Sequence, residues 1–200
     1  MSAHYSLPQL SLRFVPVWRR NFLVWRKLAV ASVLGNIAEP LITLVAFGYG
    51  VGSLIGTVAG MPYVQYLASG SVAASCALAA TFEGLYSAYS RMAVQKTWDS
   101  ILNAPVALDD IVFAEMLWAA IKALFSCTAI LVVIFALGIS RAPSMLLALP
   151  VLGLAGVTFA SLALVFNALA KGYDFFTYYF TLVITPMTFL SGVYFPIAQM

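Results

Sequence analysis

Long apolar runs divide this chain and constrain its fold more than any other feature. Each run approaches or exceeds the roughly 20 residues that a helix needs to cross a bilayer core. The runs lie at 28–50, 62–90, 111–138, 145–170 and 175–190. Hydrophobic residues make up 63% of the sequence and charged residues 8%, whereas about a quarter of the residues in soluble domains are charged. The sequence therefore predicts an all-α, polytopic membrane bundle with five spans.

A polar segment, Ser90–Glu115, separates the second and third apolar runs. It holds four of the seven acidic residues and two of the ten basic residues of the chain. A segment with this many charges between two membrane spans has to lie in water, because burying charges in the bilayer is costly. We therefore expect Ser90–Glu115 to connect two spans at one membrane surface.

A short amphipathic helix is predicted inside this polar segment, over Thr97–Asn103. Trp98, Ile101 and Leu102 recur at helical spacing, and Pro105 ends the helix shortly afterwards. An exposed short helix with an apolar stripe is suited to docking a partner. The alternative is a solvated connector that lies on the lipid headgroups.

The N-terminal part, 1–27, is predicted to be a polar tail of 12 residues followed by a basic amphipathic helix over Arg13–Lys27. One face of this helix is aromatic, and it comprises Phe14, Trp18, Phe22 and Trp25. A basic helix with an aromatic face is typical of the membrane interface. We expect the rings at headgroup depth and the transmembrane domain to occupy 28–200.

Three ionisable residues fall within the predicted spans: Glu39, Glu83 and Lys122. A charge at the bilayer centre costs about 2.5–3.5 kcal/mol on insertion scales, so each side chain should face protein or water. One interpretation is structural, with Lys122 reaching Glu39 or Glu83 across the bundle. The other is functional, as part of a substrate path, a gate or the ion relay of a secondary carrier or channel.

Several classes of site are missing from the sequence. There is no GxxxxGK[ST] motif for binding ATP through a P-loop, and no histidine lies in any span. No acidic or histidine cluster has metal-ligand spacing, so neither a metal site, a cofactor nor a catalytic residue is predicted. Cys76 and Cys127 lie in apolar runs and are interpreted as small buried side chains.

The distribution of basic residues predicts the orientation of the chain. With the N-terminus in the cytoplasm, the inner segments carry eight lysines and arginines and the outer segments carry only Arg141. Cytoplasmic loops are enriched in these residues. The N-terminus and Ser90–Glu115 are therefore predicted to be cytoplasmic.

The order of these features resembles a known family. The basic amphipathic helix, the Glu39-Pro40 interruption of the first span, the WDSILNAPV string and the terminal FLSGVYFPIAQM are similar to the permease subunits of type-2 ABC exporters. VWRRNFLVWRKLAVASVLGNIAEPL and RMAVQKTWDSIL resemble most those permeases of the family that export lipochitooligosaccharide nodulation factors. Drug and polysaccharide exporters belong to the same family and are the alternatives.

The resemblance implies a partner arrangement and several site residues. The short helix would be the coupling helix that docks on a separate ATPase, which binds the ATP, and a second permease copy would complete a homodimer in the bacterial inner membrane. The implied coupling residues are Trp98, Asp99, Ser100, Ile101, Leu102, Asn103 and Pro105. The substrate path would run along spans one, two and five at the subunit interface.

The resemblance also concerns the end of the chain. The residues of an outer re-entrant motif would be Ser191, Gly192, Tyr194, Phe195 and Pro196. Permeases of this family have six spans, so we expect a longer reading frame with a further apolar run. We also expect 197–200 to begin a short element that returns into the membrane.

Overall fold

The computed structural model describes residues 8, 10–58 and 60–196. Within those residues the helices are α1 (Phe14–Arg26), α2 (Ala29–Ile55), α3 (Tyr63–Phe82, continued by π-helical turns at Glu83–Ser87 and Ser90–Val94), α4 (Thr97–Leu102), α5 (Leu108–Ala136), α6 (Pro143–Leu169) and α7 (Asp174–Tyr179, continued through Phe180–Ile184 and Thr185–Leu190). A two-stranded antiparallel hairpin of β1 (Thr57–Val58) and β2 (Met61–Pro62) joins α2 to α3. The protein is an all-α helical bundle, as its composition predicted.

Helices α2, α5 and α6 are each long and apolar enough to cross a membrane, judged by length and composition. Helices α3 and α7 lie in the second and fifth apolar runs. Helix α3, in the second predicted span, extends past the predicted end at residue 90 and continues as π-helical turns to Val94. It can continue into the polar segment because Arg91 is paired with carboxylates of the bundle.

Helix α3 is central in the bundle, and the small residues in its middle let neighbouring helices approach closely. It contacts α2, α5 and α6. At Gly84, an added Cβ would lie 2.7 Å from the Cβ of Ala163, so only glycine permits this approach of α3 and α6. Cys76 and Cys127 are free thiols with no exposed surface, in agreement with their interpretation as small buried side chains.

The aromatic face of α1 packs on α5 and is half-buried there, while the position of these rings at headgroup depth stays a prediction. Phe14 meets Phe113 edge to face, with ring centroids 4.9 Å apart. Further along α1, Trp25 contacts Trp118 at 5.7 Å, and Trp18 stacks on Phe22 within α1. Aromatic pairs in such edge-to-face arrangements contribute beyond the area that they bury. Helix α1 is thereby attached to the bundle.

Candidate functional site

Two buried acids and two partly buried cations form a group, called here the charge cluster: Glu83 and Arg91 of α3, and Glu115 and Lys122 of α5. Arg91 Nε and Nη2 donate to Glu115 Oε1 and Oε2 at 2.9 Å and 2.5 Å. Arg91 Nη2 also donates to Glu83 Oε1 at 2.9 Å, and Lys122 Nζ donates to Glu83 Oε2 at 2.6 Å. The charges therefore alternate in sign from Lys122 through Glu83 and Arg91 to Glu115.

Two tryptophans complete the hydrogen bonding of the charge cluster. Trp118 Nε1 donates to Glu83 Oε1 at 2.9 Å, and Trp98 Nε1 donates to Glu115 Oε1 at 3.3 Å. Glu83 and Glu115 are only 3% and 2% exposed, and burial of an unpaired charge costs several kcal/mol. Every oxygen of the two buried carboxylates therefore has a donor, and this hydrogen bonding offsets part of the cost of their burial.

The spacing of the charges explains this geometry. Glu115 and Lys122 are seven residues apart, so they share a face of α5 but stand two turns from each other. Glu83 and Arg91 fill the gap from α3, which pairs Lys122 with Glu83 as one of the two sequence alternatives predicted. The other alternative, Lys122 with Glu39, is wrong.

Glu39 lies away from the charge cluster, on a surface of α2 that the single chain leaves exposed. Pro40 beside it is buried within the helix. One turn earlier, Asn36 Nδ2 donates to Ser126 Oγ of α5 at 2.8 Å. The polar residues of the first span therefore divide between a helix contact and an exposed carboxylate.

Trp98 does not belong to an exposed stripe on α4, which corrects the prediction that it faces a partner. Its side chain is 8% exposed and turned inward, where it donates to Glu115. Lys96, directly before α4, takes the left-handed conformation with φ +50°, which separates α4 from the end of α3. Trp98 therefore attaches α4 to the bundle.

The remaining residues predicted for docking stay accessible. Ile101 is half-buried, and the exposed ones are Asp99, Ser100, Leu102, Asn103 and Pro105. Leu102 keeps 44% of its surface exposed. This outer face of α4, with an apolar side chain among polar ones, is an open contact surface.

The segment before α1 is held against the α4–α5 connection. The backbone N–H and the hydroxyl of Ser11 donate to Asp110 Oδ1 and Oδ2, both at 2.7 Å. Arg13 donates to the carbonyl oxygen of Pro105. Asp110 is buried in the first turn of α5, where a carboxylate also favours the helix dipole. These contacts attach the residues that follow α4 to the segment before α1, in addition to the attachment of α4 itself through Trp98.

The SGVYFP motif packs on the opposite end of α3. Tyr66 donates to the carbonyl oxygen of Gly192, and Tyr63 donates to that of Tyr194 at 3.3 Å. A Cβ at Gly70 would lie 2.8 Å from the carbonyl oxygen of Val193, so the two backbones touch. Gly192 has φ +80°, a conformation suited to a tight turn. The predicted returning element at 197–200 lies outside the described residues.

Three residues that make buried polar contacts between helices and segments were missed by sequence reasoning: Trp118, Asp110 and Asn167. Asn167 of α6 is buried and its Nδ2 donates to the carbonyl oxygens of Gly84 and Leu85, at 2.8 Å and 3.2 Å, within the π-helical turn. An asparagine inside an apolar run is the signal that could have found it. In the part of the chain that the structure describes, no group of three or more His, Cys, Asp or Glu side chains could hold a metal ion.

Comparison with known proteins identifies the family. The family model of the ABC-2 type transporter matches residues 13–200, so the chain belongs to this family of transporter membrane components and is a multi-pass membrane protein.

Within this family, the chain is similar to several known proteins along most of its length. The chain is 48% identical to Nodulation protein J of Sinorhizobium fredii over 97% of its own length and 74% of that protein. It is 50% identical to Nodulation protein J of Rhizobium leguminosarum bv. trifolii over 98% and 74%. Inner membrane transport permease YadH of Escherichia coli is 22% identical over 90% and 70%. No solved structure matches the chain.

Proposed function

We propose that this chain is the membrane-spanning permease of an ATP-driven exporter in the bacterial inner membrane, and that its substrate is a lipo-oligosaccharide of the nodulation-factor type. The identity of about half of its residues with Nodulation protein J proteins supports this substrate class. A separate ATPase subunit supplies ATP hydrolysis. The alternative is that the permease exports a drug or a polysaccharide.

The observation that carries the proposal is the connection of α4 to the charge cluster. The exposed face of α4 would receive the ATPase, while Trp98 on its inner face donates to Glu115. Glu115 in turn holds Arg91 of α3. A displacement of α4 by the ATPase is therefore transmitted directly to the cytoplasmic ends of α3 and α5.

The proposed orientation has the N-terminus and α4 in the cytoplasm, following the distribution of basic residues. We also propose that two copies form the transport unit. The exposed position of Glu39 supports this, because a carboxylate in an apolar helix is costly against lipid and a second copy would cover it.

Coupling is tested by co-expressing the tagged chain with a candidate ABC ATPase of the same organism and co-purifying the two. Leu102→Asp places a charge on the outer face of α4 and should abolish association, while Trp98→Phe keeps the outer face and should retain it. Val94→Asp is the matched control, because Val94 is also an exposed apolar side chain but precedes α4. Wild-type yield of the ATPase with Leu102→Asp contradicts the docking surface.

The substrate is tested in a strain that lacks the chromosomal gene. Restored secretion of lipo-oligosaccharide by the wild-type gene, and no restoration by Leu102→Asp, is the expected result. Restored drug efflux or polysaccharide secretion without lipo-oligosaccharide secretion assigns the alternative substrate class. Trp98→Phe should bind the ATPase yet export less, because its ring cannot donate to Glu115.

A further inference from the structure

A polar cavity of about 520 Å³ lies beside the charge cluster, between α1 and the cytoplasmic part of α3. Its wall includes Arg20, Asn21, Trp25, Glu83, Arg91 and Lys122. Three of these side chains are cationic and one is anionic. The cavity is thus a positively charged recess at the level where α1 meets the bundle.

The positive charge of the cavity is not fully balanced by its neighbours. Arg91 and Lys122 share the carboxylates of Glu83 and Glu115. Among the described residues, no carboxylate oxygen lies within 4 Å of the Arg20 guanidinium, which donates instead to Asn21 Oδ1 at 3.1 Å. Burial and the nearby charge of Arg91 lower the pKa of Arg20, and Glu115 opposes this only partly. Arg20 therefore supplies a cation that no carboxylate of the described residues contacts directly.

Hydrogen-bond donors in the same wall are also unused. Asn21 is 3% exposed, and its Nδ2 has no hydrogen-bond partner in the part of the chain that the structure describes. The same holds for the buried Nε1 of Trp25. Buried donors are nearly always satisfied, and these two stay unpaired in residues of the cavity wall, next to a guanidinium that no carboxylate contacts.

We propose that this cavity binds a phosphate-type oxyanion, with Arg20 as its main ionic contact and Asn21 as a neutral donor. A phosphate group offers several acceptor oxygens and accepts charge-assisted hydrogen bonds from a planar guanidinium. Its negative charge neutralises the excess carried by Arg20. The phosphate can come from a lipid headgroup, because the basic, aromatic sequence of α1 is typical of the membrane interface, or from solution.

The two sources are separated by titrating the detergent-purified, delipidated full chain. The probes are dihexanoyl phosphatidylglycerol, dihexanoyl phosphatidylcholine and inorganic phosphate at constant ionic strength, with tryptophan fluorescence as the readout because Trp25 borders the cavity. Arg20→Gln should weaken saturable binding about tenfold, the loss expected for one charged hydrogen bond. Arg19→Gln is the matched control, since Arg19 is the exposed neighbour outside the cavity.

Each outcome decides the proposal. Saturable binding that depends on Arg20 and not on Arg19 supports it. Tighter binding of phosphatidylglycerol assigns a lipid headgroup, and equal binding of inorganic phosphate assigns an anion from solution. Equal weakening by both variants, or no saturable binding of any probe, overturns the site. Asn21→Asp checks the result independently, because it keeps the side-chain size and should repel the anion.

Discussion

Replacing Glu115 with glutamine should destabilise the protein more than any exposed substitution in the polar segment. Glu115 is 2% exposed and accepts two hydrogen bonds from Arg91 and one from Trp98. The amide keeps the shape but loses the charge, so Arg91 retains only Glu83 as an ionic partner. Removing one partner of a buried ion pair costs about 3–5 kcal/mol.

The free energy of unfolding is measured by denaturant titration in mixed micelles, with Asp99→Asn as the control. Asp99 is exposed on α4, and a surface substitution of this kind changes stability by less than about 0.5 kcal/mol. A double variant, Glu115→Gln with Arg91→Met, should recover part of the loss, because Glu83 then faces a single cation, Lys122, instead of two. A loss below about 1 kcal/mol for Glu115→Gln, or strictly additive effects, would refute the reasoning.

Three further substitutions test other parts of the structure. Gly84→Val should reduce the amount of folded protein in membranes, because its Cβ would lie 2.7 Å from that of Ala163; unchanged folded yield would contradict the α3–α6 packing. Asp110→Asn should weaken the contact with Ser11 and increase proteolysis of the N-terminal segment, measured on isolated membranes against wild type. In a background without the native cysteines, a cysteine at Ser140 should react with an impermeant maleimide in intact spheroplasts. One at Gly172 should react only after permeabilisation, and the reverse pattern would overturn the proposed orientation.

Much of the architecture could be predicted because it depends on local composition. Apolar runs identify helices, and the helices found at Leu108–Ala136 and Pro143–Leu169 begin and end within a few residues of the predicted spans. The short helix was predicted from the spacing of Trp98 and Leu102, and it is present as Thr97–Leu102. Its identification as the ATPase-docking element stays a prediction.

The direction of each side chain was less predictable. Trp98 and Leu102 were assigned to one apolar stripe, and they do line one cavity, yet Trp98 is buried against a carboxylate while Leu102 keeps 44% of its surface exposed. The rings of Phe14 and Trp25 were expected at headgroup depth, and the structure adds that they contact aromatic residues of α5. Periodicity identifies the apolar face of a helix, and it does not say whether protein or lipid covers that face.

By itself the sequence determined the class of the molecule, because long apolar runs with few charges can be satisfied only by helices in a membrane. It also determined that Glu83 and Lys122 need partners, because isolated charges are costly there. Only the tertiary structure decided that Lys122 pairs with Glu83, that Arg91 bridges to Glu115, and that Trp98 joins them. The physical reason is that these contacts join residues 17 to 39 positions apart, so they depend on how the helices are rotated and packed.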